Sequence, residues 1–314
     1  MRMDCGLTAE LANRDQGIGT GGIGAMAQLT SNGIPLDMAP DAFGELRESN
    51  DLLNDMSALR ERMAEDGYLL IRDYLDLEWV MDARRSVLEV LAEHEMIDEN
   101  HSLMEARAAR SDNGKFRSAI GSHAALGKLP AVRKLVHSGR MIDFYAAFLG
   151  GEVRSFDFVW MRVMGPGRSS APHYDIVYMG RGTTNLYTSW TPLGDAPLSD
   201  AALMVLENSH RLEQVKTTYG QMDVDKKSNW KKTGGSYGKD PAAIQKELGC
   251  RWLTTDFRAG DLLVFSMYTM HCSLDNRSDR IRLSSDTRYQ LASEPVDERW
   301  IGENPIAHSV REEE

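Results

Sequence analysis

From about residue 50 the chain orders its apolar positions with two distinct periods. Leu52, Met56, Leu59 and Met63 recur at spacings of three and four, which puts them on one face of a helix. Val80, Ala83, Val87, Val90 and Leu91 repeat the pattern in a second helix. After residue 150 the pattern shifts to short strand-like runs at 156–164, 185–190, 202–206, 262–267 and 281–291, with Gly, Pro, Asn and Asp at the breaks. Helices first and many short strands afterwards predict an α+β domain. Its expected core is an antiparallel jelly roll, a cupin-like double-stranded β-helix, with the N-terminal helices packed outside.

Three other segments fall outside this rhythm. Residues 1–45 are rich in Gly, Ala, Asn and Met with little periodicity and read as a flexible N-terminal arm. Gly17, Gly19 and Gly22 within it match G-x-G-x-x-G, but residues 7–15 do not supply the preceding strand that a dinucleotide fingerprint needs. The main domain is expected over 46–300 and a C-terminal tail over 301–314. Between two strand runs, residues 225–249 carry Lys226, Lys227, Lys231, Lys232 and Lys239 around Trp230 and Tyr237. A basic run in an acidic protein is ordinarily a solvated loop; its place between strands also suits a lid over an anionic substrate.

Composition narrows the function classes. A chain of 314 residues with 42% hydrophobic residues can bury a substantial core. A formal charge of −11 argues against a nucleic-acid partner, because affinity for phosphate backbones needs clustered Lys and Arg. Cys5, Cys250 and Cys272 form neither a C-x-x-C pair nor an even disulfide framework. No leader-like or membrane-spanning run is evident, so the expectation is a cytoplasmic protein acting on a small molecule without a membrane partner.

The chemistry concentrates in two distant segments. In Pro172-His173-Tyr174-Asp175, a strand would direct His173 and Asp175 to one face, where they could grip one metal ion. His271, from a remote strand, would complete two imidazoles and a carboxylate. That set leaves coordination positions open on an octahedral ion, as in non-haem Fe(II) oxygenases. Eleven residues beyond His271 comes Arg282, with Ser284 on the same strand face. A guanidinium and a neighbouring hydroxyl make an anchor for a dicarboxylate. Arg280, Arg282 and Arg288 share strand parity, so alternation alone does not choose among them. Trp190 is placed as a wall of the same pocket, with core packing as its alternative. Arg162, on the strand before the metal loop, either meets a carboxylate there or faces water. His94, His101, His123, His137 and His308 read as ordinary hydrogen-bonded histidines, and His210 as a structural or outer-shell residue.

Taken together these residues resemble the phytanoyl-CoA dioxygenase family of Fe(II)/2-oxoglutarate oxygenases. The resemblance covers roughly residues 50–292. It includes the segments at 67–71, 190–195, 203–211 and 259–265 as well as the ligands. It departs at Glu207-Asn208, where the family has a Pro-Gly pair. It implies Fe(II), 2-oxoglutarate and O2 as cofactors, with iron on His173, Asp175 and His271 and the far carboxylate of 2-oxoglutarate on Arg282 and Ser284. Succinate and carbon dioxide would be released as a small-molecule substrate is hydroxylated. Asp175 argues against halogenation, for which relatives carry a small residue in place of the carboxylate. Two rival readings are a cupin-type metal enzyme without an oxo-acid cosubstrate, which has no use for Arg282, and a non-catalytic binding protein, which would typically have lost a ligand.

Overall fold

Alternation along two strands explains how the molecule buries both faces of one sheet. A computed structural model describes residues 28–109, 123–226 and 234–309 of the protein. Its strands are β1 (Thr30–Ser31), β2 (Ile34–Pro35), β3 (Phe43–Glu45), β4 (Tyr68–Ile71), β5 (Val153–Ser155), β6 (Trp160–Met164), β7 (Tyr187–Pro192), β8 (Leu203–Leu206), β9 (Trp252–Thr254), β10 (Leu262–Ser266), β11 (His271–Ser273) and β12 (Arg282–Leu291). In β10, Leu263 and Phe265 enter one buried cluster while Leu262 and Val264 enter another.

The second of these clusters belongs to the helices. Side chains of α1 (Met56–Asp66), α2 (Leu77–Glu93), α4 (Pro130–His137) and α5 (Arg140–Leu149), with the short α3 (His123–Gly127) between α2 and α4, cover one face of the larger sheet. Asp55 and Asp76 start the first two helices by accepting backbone N–H groups that would otherwise be unpaired. Gly67 ends α1 in the left-handed region at φ +78°, and a Cβ there would strike the ring of His210. His210 Nε2 in turn lies 3.1 Å from the carbonyl of Ala64. His210 therefore ties the helix end to the loop after β8, a structural duty.

The larger sheet has the order β4-β10-β7-β12-β5, with β6 also paired to β12; the smaller runs β11-β8-β9-β3. Pairing is antiparallel except for β3 beside β9. Trp190, Leu263 and Phe265 of the larger sheet share a buried cluster with Leu203 to Leu206 and Trp252 of the smaller. This is a mixed α/β arrangement with several sheets. On the side of β12 facing the smaller sheet stand Arg282, Ser284, Asp286 and Arg288, all buried. That polar row marks where function is to be sought, since buried charges need partners.

One expectation changes. Residues 28–45, expected as part of a loose arm, are packed: Leu29, Leu36 and Phe43 are buried, and Ser31 Oγ donates to Ser273 O at 2.8 Å. Their apolar residues anchor separate short turns and strands, so no period reveals them. The G-x-G-x-x-G match at 17–22 lies outside the described residues. At the departure noted for Glu207-Asn208, Asn208 adopts φ +57°, a conformation Asn tolerates better than most residues, and Glu207 forms a two-pronged ion pair with Arg251 at 2.8 and 2.7 Å.

Candidate metal centre and its cavity

His173 and His271 meet across an isolated antiparallel bridge, each donating its backbone N–H to the other's carbonyl at 3.1 Å. This bridge joins the loop before α6 (Ile176–Met179) to β11, and it brings the two rings to 4.2 Å between centroids. Asp175 is not on a strand. It caps α6 with helical backbone angles, φ −67° and ψ −30°. The turn after Tyr174, rather than strand alternation, carries its carboxylate back to the imidazoles.

The donor set suits a metal ion. Nδ1 of His173 lies 2.8 Å from Ala171 O and Nδ1 of His271 lies 3.0 Å from Thr269 O, contacts that fix the Nδ1–H tautomer. Both Nε2 atoms therefore carry the free lone pair. They sit 3.7 and 3.8 Å from Asp175 Oδ1. The other carboxylate oxygen, Oδ2, is occupied: Thr188 Oγ1 donates to it, and so does Arg288 Nη2 at 2.9 Å. One oxygen is thus held for orientation and one left for coordination.

Protonation states agree with that division. Burial, reinforced by the neighbouring His271, pushes the His173 imidazole down to about 3, and burial lowers His271 as well. For Asp175, burial opposes ionisation, but the Arg288 guanidinium and the two imidazoles hold its carboxyl well below the usual range. At neutral pH the site presents two neutral imidazoles and one carboxylate, the state a divalent cation requires.

The triad opens on a cavity of about 480 Å³, whose wall includes Trp160, Arg162, Tyr178, Arg288 and His308 beside the ligands. Gly234 and Ser236, from the 225–249 insertion, also line it. The insertion is fastened there: Tyr237 N donates to Pro172 O at 2.8 Å, and Tyr219 OH donates to Gly235 O. Lys226 instead lines a separate groove with Arg181 and Asp223, while Lys227, Trp230, Lys231 and Lys232 lie outside the described residues.

Arg282 and Ser284 are brought together, Nη1 donating to Oγ at 2.6 Å, while Nη2 donates to Ala201 O at 2.9 Å. The Arg282 Nε has no partner although it is buried. Burial lowers this guanidinium to about 10, so it stays charged at neutral pH. Its guanidinium lies 5.5 Å from the Trp190 ring centroid, and Trp190 packs on Phe257 with 2% exposure. Trp190 thus borders Arg282 rather than the cavity at the triad. Arg280 is exposed, two residues before β12 begins. Arg162 donates from Nε to Asp286 at 2.7 Å.

Two contributors escaped the sequence. Arg288 shares parity with Arg282 but not its neighbours: it reaches the metal carboxylate and stacks 4.1 Å from the Trp160 ring centroid. His308 sits in the tail, and only the tail's return brings it to the cavity, where its Nδ1 lies 3.0 Å from both oxygens of Asp225. A lone tail histidine carries no sequence signal for that.

Comparison with known proteins places these observations. The family model for phytanoyl-CoA dioxygenase (PhyH) matches residues 63–284, which includes all three candidate ligands. Among solved structures, the non-heme alpha ketoglutarate dependent carbocyclase SnoK from nogalamycin biosynthesis aligns with TM-score 0.55 at 18% identity, covering 80% of this chain and 90% of that one. EctD from S. alaskensis aligns with TM-score 0.54 at 17% identity, covering 87% and 89%. The epimerase SnoN, solved with Fe3+, alpha ketoglutarate and nogalamycin RO, aligns with TM-score 0.51 at 20% identity, covering 80% and 93%. At these identities the likeness is one of fold. Among the described residues no helix is long and apolar enough to cross a membrane.

Proposed function

The chain belongs to the phytanoyl-CoA dioxygenase family, and on that premise we propose that it is an Fe(II)- and 2-oxoglutarate-dependent dioxygenase that hydroxylates a small-molecule substrate. The observation that carries this reading is the convergence of His173 Nε2, His271 Nε2 and Asp175 Oδ1, with every other polar atom of those side chains already engaged. We read the two facing sheets as the jelly roll expected from the sequence, with the metal site between them.

In this reading His173, Asp175 and His271 hold iron, which supplies oxygen activation coupled to oxidative decarboxylation of 2-oxoglutarate to succinate and carbon dioxide. Arg282 and Ser284 bind the far carboxylate of that cosubstrate. The unpartnered Arg282 Nε is a buried donor waiting for an acceptor. The Arg282 guanidinium contacts Ala201 O, at the turn leading into β8, and β8 pairs with His271 through Val205, so one segment runs from the anchor to a metal ligand. Trp190 fixes the guanidinium from below, and the aromatic cavity wall excludes water from the reacting centre. The insertion, fastened over the cavity through Gly235 and Tyr237, acts as a lid.

The test is reconstitution with Fe(II) under anaerobic conditions, followed by admission of O2 and measurement of succinate. Production should require both iron and 2-oxoglutarate and vanish in His173→Ala. Succinate formation by metal-free protein at the same rate would sink the assignment.

A further inference from the structure

Arg162 has half of its guanidinium committed and half open. Its Nε donates to Asp286 at 2.7 Å, which orients the guanidinium plane, and both Nη groups are without partners among the described residues. The side chain keeps 37% of its exposure and lines the same cavity as His173 and Asp175. The neighbouring cation, Arg288, donates Nη2 to the Asp175 carboxylate and lies over the Trp160 ring; its Nε and Nη1 have no partner, but the residue is only 1% exposed. Among the described residues, Arg162 is therefore the arginine of this wall that is open to a ligand.

A guanidinium held along its Nε edge and open at its Nη edge is a preformed fork for a planar oxyanion. The backbone of Arg162 lies opposite Ser284, but its side chain extends toward Asp286, which is away from Arg282 along β12. Its fork thus serves the cavity at the triad, whose lining does not include Arg282. The surrounding wall is aromatic: Trp160 packs against Phe158 and Trp300, Tyr178 meets the His173 ring edge-on at 5.5 Å, and His308 stands at the mouth. Aromatic faces around one open guanidinium select a flat or apolar body bearing a single anionic group.

We propose that Arg162 anchors a carboxylate of the prime substrate, so that the enzyme acts on small carboxylic acids whose apolar body lies between Trp160, Tyr178 and His308. The inference rests on the reading that places 2-oxoglutarate on Arg282 and Ser284. It leaves Arg162 to the second, variable ligand.

Protein loaded with Ni(II) and 2-oxoglutarate supports a test that needs no turnover. Binding of both is measured first by calorimetry; benzoate, phenylacetate and indole-3-acetate are then titrated in, each beside its methyl ester, together with phenyl phosphate. At least one acid should bind about tenfold or more tighter than its ester, as expected when a charge-assisted pair forms. That preference should disappear in Arg162→Gln and partly return in Arg162→Lys. In the Arg162→Gln protein, 2-oxoglutarate should bind with nearly its original affinity. Equal binding of acids and esters overturns the inference, as does an acid preference that survives Arg162→Gln. Tighter binding of phenyl phosphate than of any acid overturns the carboxylate assignment. A loss of 2-oxoglutarate affinity of about tenfold in Arg162→Gln moves Arg162 to the cosubstrate and sinks the inference too. Failure of the wild-type protein to bind Ni(II) or 2-oxoglutarate at all would instead remove the reading beneath it.

Discussion

Arg288 Nη2 donates to Asp175 Oδ2 at 2.9 Å, and both residues are only 1% exposed. Two charges removed from water in this way cost several kcal/mol unless their geometry is good, and breaking one partner leaves the other uncompensated. With Thr188 on the same oxygen, Arg288 keeps Asp175 turned so that Oδ1 faces the imidazoles. Arg288→Met should therefore weaken metal binding by roughly 10–100-fold, the range for residues that orient a ligand. Ni(II) titration against wild type checks this, and unchanged affinity would reduce Arg288 to a packing role.

Arg282→Ala removes the charge-assisted contacts expected for the far carboxylate of 2-oxoglutarate. At about 1.5–3 kcal/mol for a hydrogen bond to a charged group, the apparent requirement for 2-oxoglutarate should rise on the order of 10- to 100-fold. Arg280→Ala should change it little, since Arg280 is exposed ahead of the strand. Kinetics at saturating iron decide the matter. A crippled Arg280→Ala beside a normal Arg282→Ala would reverse the assignment.

The triad was legible because two ligands fall within three residues and the third precedes Arg282 at a recognisable distance. The reason first given for their convergence was incomplete: alternation predicted a strand, whereas Asp175 reaches His173 through a helical turn. Strand runs for β7, β8, β10 and β12 were readable from apolar spacing, while β5 and β9, at three residues each, were too short to show a period. Parity placed Arg282 and Arg288 on one face but could not say which neighbours they would meet, because that depends on which strands pair with β12. His308 and Gly234 reach the cavity through chain returns, and no local pattern encodes those.

His137, at the end of α4, offers a test of stability against pH. Burial, with Arg133 nearby, pushes its imidazole from 6.5 down to about 4. Its Nδ1 pairs with Ser155 Oγ at 2.9 Å, while Nε2 is buried without a partner. The unfolded chain takes up a proton near pH 6.5 that the folded protein refuses until about pH 4, so this contribution is full above the higher value and declines as pH falls toward the lower. It amounts to roughly 3 kcal/mol at most, at 1.36 kcal/mol per unit, and less to the extent that water reaches the ring. Urea midpoints of metal-free protein at neutral and mildly acidic pH should drop more for wild type than for His137→Leu. An identical drop in both would assign the acid sensitivity elsewhere.

The fastening of the insertion turns on Gly235, which adopts φ +90° and whose Cβ, if present, would lie 2.5 Å from Tyr178 Cζ. An L-residue in the left-handed region costs roughly 1–2 kcal/mol before the clash is counted. Gly235→Ala should therefore lift the turn from Tyr178 and weaken the Tyr237 N–H contact to Pro172 O beside the metal loop. Hydrogen exchange at the Tyr237 amide reports that opening directly, because an amide exchanges when its bond is broken by local motion. It should be distinctly faster in Gly235→Ala, and truncating the ring in Gly235→Ala/Tyr178→Ala should recover part of the protection by relieving the clash, as a double-mutant cycle between contacting residues would register. Ni(II) affinity should stay close to wild type, since neither residue touches the donor atoms of His173, Asp175 or His271. Wild-type exchange in Gly235→Ala would mean that the insertion is not held to the metal loop through this turn, and the lid reading would lose its structural basis.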